Sequence, residues 1–428
     1  MQRLSLRVNN LRIVLFIDSI VILLNIATTY SIIPYLLFTY NRSVNTLCVF
    51  CFNVVFLFLR FGINLKIPKN DILFYLYIFI YLLNAIFGVY TDTFSIGLIV
   101  YLLLNISFYL ILCNLFTNYN DKYSFDISSK LLVRGYIWLS IYNIVIILVM
   151  FILVTFLSFQ PYANYIGDKM DLFESNLAMG SDIGYYFPNF ISIIYKSGDI
   201  RIPFFQQYGF ITGLYHEPHI VSFLLTPSFF ILLDKFKKGI KRYIMILLYM
   251  LMMLISASTM NLIAFFICII IYIIMKNRTK ILMPMIILSI FGFLISFLNK
   301  NIFNFIIIKL TSESADYSAS VLKFAFTPKT LLGTNIFNLS YIEANTNLKF
   351  DVGYILFFLN FLFLIICYYK LYYLIARSKF LYIGLFGLYF FLHSMKTAML
   401  TYMFSYLLFI IFIMNIYINH SKIDKKNE

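Results

Sequence analysis

The chain has 428 residues, of which 62% are hydrophobic and only 12% charged, with a mean hydropathy of +0.89. Soluble domains are about half apolar and a quarter charged, so this balance excludes a soluble enzyme or binding module and describes an integral membrane protein. The net charge of +15 would suggest nucleic acid in a soluble protein. Here Lys and Arg gather in short segments between apolar runs, as in loops facing an anionic leaflet, so no nucleic-acid partner is expected.

Apolar runs long enough to cross about 30 Å of hydrocarbon recur from end to end without a polar domain between them. The expected class is all-α: one polytopic membrane domain over residues 1–428 with about twelve spans. In chain order they fall at 12–38, 46–63, 72–90, 95–116, 134–158, 217–234, 243–257, 260–276, 281–299, 352–369, 380–395 and 397–418. The first follows the charged start MQRLSLR, but it is long and no small-residue cleavage site follows, so it reads as an uncleaved span. All five cysteines lie inside apolar runs, where ordinary packing explains them.

The basic clusters fix the expected orientation. Arg3, Arg7 and Arg12, then Arg60, Lys66 and Lys69, then Lys122, Lys130 and Arg134, and later clusters around Lys237, Arg278, Arg377 and Lys425 all fall on one side, which the positive-inside rule makes the cytoplasm. Both termini are then cytoplasmic. Two long segments, 159–216 and 300–351, lie outside, and their many aromatic residues mark them as ordered at the interface. Rings such as Tyr185, Tyr186, Phe187, Tyr195, Tyr208 and Phe210 either lay the first segment along the headgroup layer or stack on sugar faces.

Polar chemistry concentrates at the end of that first segment. Arg201 either snorkels to lipid phosphate or offers its planar fork to a diphosphate. In GLYHEPH, Pro218 suits the first position of the sixth helix, which makes Glu217 its N-cap and turns the unpaired N–H groups outward as an anion site. The Glu217 carboxylate then either pairs with Arg201 or serves as a general base, and His216 and His219 either share that work or sit at the interface with their tips in water. The second outer segment carries the cations Lys309 and Lys323, while His393 and Lys396 stand one turn apart at the outer end of the eleventh span. No DxD and no His pair at i, i+4 occurs in the second segment, so neither metal nor cofactor is expected. Asp18 is expected to snorkel or to pair with Arg12, and Asn25, Asn84, Asn105, Asn143 and Asn360 to bond between helices.

Arg201 followed by GFITGLYHEP and an apolar helix resembles the signature of bacterial O-antigen and capsular polysaccharide polymerases of the Wzy type. SASTMN at 256–261 and TPKTLLGTN followed by DVGY are similar to further segments of that family, and the likeness runs over roughly 195–370. The resemblance implies a GT-C-like, lipid-linked glycosyltransferase in the bacterial cytoplasmic membrane. It would pass a growing glycan from undecaprenyl diphosphate to the non-reducing end of the next lipid-linked repeat unit. It further implies that Arg201 holds the diphosphate and that Glu217 and His216 stand nearest the chemistry, with Lys309 or Lys323 as the stand-in for a second cation. Independently of the resemblance, His219, Tyr208, Lys309, Lys323, His393 and Lys396 are the expected substrate-binding residues, and His393 and Lys396 either line a shared cavity or cap the helix end. The partners implied by the resemblance are the undecaprenyl-diphosphate-linked oligosaccharide, the bilayer and a chain-length regulator. One departure stands out: the family often has a second arginine near TSESADYS, where this chain has none. The competing readings are a polysaccharide-repeat flippase or other twelve-span carrier, which would place ionisable groups near the midplane, and an O-antigen ligase.

Overall fold

The computed structural model describes residues 2–28, 31, 33, 42–67, 71–90, 96–118, 122–157, 164–165, 185–187, 192–196, 208–215, 218–235, 239–256 and 259–276, and singly 366, 385, 388, 389, 409 and 412. Eight helices are described: α1 (Gln2–Thr28), α2 (Arg42–Phe61), α3 (Ile72–Tyr90), α4 (Ile96–Asn118), α5 (Lys122–Phe156), α6 (Pro218–Lys235), α7 (Ile240–Ser256) and α8 (Thr259–Lys276). They correspond in order to the first eight expected spans. Of the four expected from 281 onward, 281–299 lies outside the described residues and the other three are described only at residues 366, 385, 388, 389, 409 and 412; the whole second outer segment with Lys309 and Lys323 also lies outside them.

The surface is inverted relative to a soluble bundle. On α5, Trp138, Tyr142, Val145, Val149, Ile152 and Phe156 recur at helical spacing and are all exposed, as are Ile13, Phe16, Ile17 and Ile20 on α1. Such apolar stripes have no place in water and match lipid. The polar side chains turn inward instead: Asn25, Asn53, Asn105, Ser107 and Asn143 are at most 3% exposed. Among the described residues, four stretches are long and apolar enough to cross a membrane, Leu11–Thr28, Val44–Asn64, Ile99–Thr117 and Lys130–Val154. The protein is a mostly helical, multi-pass membrane protein.

Inside hydrocarbon, helices gain little from apolar contact with one another, so the buried amides act as fasteners. Asn25 and Asn53 exchange two hydrogen bonds of 2.8 Å each, and Asn53 also donates to Ser107 Oγ at 3.1 Å, which ties α1, α2 and α4. Asn105 donates to the Tyr77 hydroxyl at 2.8 Å, joining α4 to α3. Asn114 clamps the α2–α3 connection by accepting from the Lys66 N–H at 2.8 Å and donating to its carbonyl at 2.9 Å. Asp18 meets Arg60 of α2 in a forked pair, Nε to Oδ1 at 3.0 Å and Nη2 to Oδ2 at 3.2 Å. The forked partner thus comes from the neighbouring helix, where the sequence reading looked one and a half turns away on α1.

Three helix boundaries depart from expectation, the first being that α1 already begins at Gln2 instead of 12. Helix α1 stops at Thr28 instead of running to 38, and Ser31 forms an isolated antiparallel bridge with Tyr215. A backbone committed to that bridge leaves the helical path. Helix α5 begins at Lys122 instead of 134, and its 35 residues span about 52 Å, well beyond the hydrocarbon thickness.

The first outer segment holds the largest departure from an all-helical reading. Strands β1 (Asn164–Tyr165), β2 (Tyr185–Phe187), β3 (Ile193–Lys196) and β4 (Tyr208–Gly213) form an antiparallel sheet in sequential order. The aromatic residues expected along the headgroups are therefore paired in strands: Tyr185 opposes Tyr195, and Lys196 opposes Tyr208. Strand β4 packs on α5, α6 and α7.

Candidate functional site

The site region is built by the descent of β4 into the bundle. Ile211, Thr212, Leu214 and Tyr215 are between 0% and 2% exposed. A strand end buried this way must find partners for its backbone, since no water reaches it. Asn143, on α5, supplies one: its Oδ1 accepts the Leu214 N–H at 3.1 Å while its amide donates to the Leu139 carbonyl at 3.0 Å. Tyr215 bridges Ser31, and the Tyr215 N–H reaches the Thr212 carbonyl at 3.4 Å, closing a turn. Asn143 was expected to bond between helices, and its partner is this turn.

Gly213 is required at the turn for two separate reasons. Its φ is +63°, in the left-handed region that L side chains avoid. A Cβ there would also stand 2.9 Å from Asn143 Oδ1 and 3.2 Å from Ile147 Cγ1. Close approach of strand to helix and left-handed backbone thus meet in one residue.

The turn is recessed. Gly135 of α5 leaves no room for a Cβ against Leu23 of α1, and the same number of residues further along each segment lie Asn143 and Ser31, which both hold the turn. Helices α1 and α5 therefore run side by side in the same direction. About 20 Å of α5 continues past Asn143 to its last residue, Phe156, at 1.5 Å per residue. The junction between β4 and α6 thus sits well below the end of α5.

From that junction α6 starts at Pro218, as expected, so its first N–H groups have no helical partner at the recessed level. The helix is then held along its length by hydroxyls. The Tyr136 phenol bonds the Ser228 backbone, Tyr249 bonds Ser228 Oγ, Tyr389 bonds Thr226, and Tyr272 donates to the Leu233 carbonyl at 3.3 Å. These grips surround Pro227, whose missing N–H leaves the Phe223 carbonyl without its helical donor. Rings pack the same region: Phe229 lies 4.6 Å from Tyr249 and 5.0 Å from Phe265 between centroids.

The expected site residues divide accordingly. Arg201, His216, Glu217, His393 and Lys396 lie outside the described residues, as do Lys309 and Lys323. Tyr208 opens β4 and His219 lies in the first turn of α6, with only their backbones described. Sequence reasoning missed Gly213 and the Asn143 acceptor. A lone asparagine in the middle of an apolar span and a glycine flanked by buried positions were the available signals. Compared with protein families, curated proteins and solved structures, the chain matches none.

Proposed function

We propose that the protein is a polysaccharide polymerase of the lipid-linked glycosyltransferase class, GT-C-like with about twelve spans. In this reading both termini are cytoplasmic, the protein resides in the bacterial cytoplasmic membrane, and the β-sheet faces outward. It transfers a growing O-antigen or capsule glycan from undecaprenyl diphosphate to the non-reducing end of a lipid-linked repeat unit, with a chain-length regulator as a further partner. The observation that supports the reading is the recessed end of β4 at Tyr215, followed by α6 from Pro218, a membrane helix whose first N–H groups have no partner within the helix. That position suits a leaving diphosphate whose lipid lies in the bilayer and whose glycan lies outside it.

In the proposed reaction, the fork of Arg201 and the α6 N-terminus take up negative charge as the anomeric carbon separates from the diphosphate oxygen. The carboxylate of Glu217 removes the proton from the acceptor hydroxyl as that oxygen bonds the anomeric carbon, with His216 in support. His219, Tyr208, Lys309, Lys323, His393 and Lys396 are assigned to substrate binding. A carrier with Asp18 as a proton relay gains no support, because Asp18 is gripped by both nitrogens of an arginine fork.

The test is Arg201→Lys in the producing strain, scored by the surface glycan ladder with protein level measured by blot. Loss of chain growth at normal protein level is expected, because a point charge does not reproduce a bidentate fork. A ladder equal to wild type refutes the assignment of Arg201.

A further inference from the structure

Two hydroxyls of the β3–β4 hairpin are buried with nothing to bond. Ser192 and Thr212 are both 0% exposed, and neither oxygen reaches a donor or an acceptor. A hydroxyl cut off from water in this way loses more than an ordinary hydrogen bond is worth.

Their placement is specific. Ser192 immediately precedes Ile193, Thr212 immediately precedes Gly213, and Ile193 and Gly213 are partners in register. Both hydroxyls therefore stand one residue before the same cross-strand pair. Ile194 pairs with Ile211, which makes Thr212 the extra residue of a bulge, a device that re-aims a side chain. Diagonal neighbours across antiparallel strands stand about 7–8 Å apart. That is too far for the two hydroxyls to bond each other, and within reach of one molecule bearing several hydroxyls.

The hairpin is also built to part. Its register is irregular on both sides of Ile194, so the ladder is weakest where the two hydroxyls lie. By contrast, the turn that follows is pinned to Asn143 and Ser31. We propose that Ser192 and Thr212 form a carbohydrate subsite on this strap: closed over unbonded hydroxyls when empty, and opened onto a sugar whose hydroxyls take both partners. The sugar class rests on the polymerase reading above, where the glycan must be steadied a few residues from His216 and Glu217. The strap itself rests on the buried hydroxyls and the bulge.

The experiment uses the full-length protein in lipid nanodiscs, labelled and titrated over an array of bacterial oligosaccharides. Wild type is expected to bind, Thr212→Val and Ser192→Ala to bind about tenfold more weakly, and Thr212→Ser to bind as wild type. Thr212→Val is also expected to raise the thermal midpoint of the empty protein, because an isosteric methyl removes the unbonded oxygen; this separates a binding defect from a folding defect. Equal binding by wild type and Thr212→Val, or no binding of any arrayed sugar by wild type, overturns the subsite. Two mixed outcomes separate this proposal from the polymerase reading. Sugar binding that depends on Thr212, with a glycan ladder indifferent to Arg201, keeps the subsite and sinks the polymerase. A ladder that depends on Arg201, with binding indifferent to Thr212, does the reverse.

Discussion

Replacing Gly213 with alanine tests whether the β4 end is locked inside the bundle. Its φ of +63° costs an L residue about 1–2 kcal/mol. The new Cβ would meet Asn143 Oδ1 at 2.9 Å and Ile147 Cγ1 at 3.2 Å, and forced contacts of this kind cost about 1–3 kcal/mol. With partial relaxation the expected destabilisation is about 2–4 kcal/mol. The measurement is a titration of the protein from dodecyl maltoside into SDS, followed by fluorescence of its single tryptophan, Trp138, two turns before Gly213's helix contacts on α5. A double-mutant cycle with Asn143→Ala sharpens it. Asn143→Ala alone strands the Leu214 N–H and should cost about 1–3 kcal/mol. In that background the Oδ1 contact is gone, so Gly213→Ala should cost about 1 kcal/mol less than it does in wild type, a coupling expected only of residues in contact. A Gly213→Ala protein within about 0.5 kcal/mol of wild type, or strict additivity, refutes the placement of this turn against α5.

Two further outcomes are expected. Trp138 is 68% exposed on the apolar stripe of α5, so brominated acyl chains should quench its fluorescence strongly while aqueous acrylamide should not; the opposite pattern would mean that this face meets water or protein. Asn53→Leu removes both bonds to Asn25 and the bond to Ser107, and should cost about 2–3 kcal/mol in the same SDS titration, whereas Asn25→Leu/Asn53→Leu together should cost less than the sum of the single changes.

Hydropathy made the membrane class and the first eight helices legible, because solvent and lipid sort side chains by a coarse rule that composition alone satisfies. It set the start of α6 almost to the residue through Pro218, whose fixed φ and missing N–H suit a first helical position. It failed where a boundary is decided by a distant partner. The end of α1 depends on Ser31 meeting Tyr215, and nothing local to Ser31 announces that pairing. The sheet was hidden for a different reason. In a chain this apolar, strands of two to six residues carry no alternation that stands out from the background. Asp18 was seen as unusual, but the identity of its forked partner, Arg60, is a matter of helix packing. At the site, the start of α6 at Pro218 was legible, while the Asn143 acceptor and the burial of Thr212 emerge only once strand and helix are brought together.

The forked pair between Asp18 and Arg60 bears on how α1 and α2 are held in the membrane. An unpaired carboxylate inside a span, as Asp18 would be alone, resists insertion by up to about 2.5–3.5 kcal/mol on translocon scales. Bonded to Arg60 at 3.0 and 3.2 Å, it becomes half of a neutral pair. Helix α1 is thus incomplete as a lipid-facing unit until α2 joins it, so the stability of either helix in the bilayer is set by the pair.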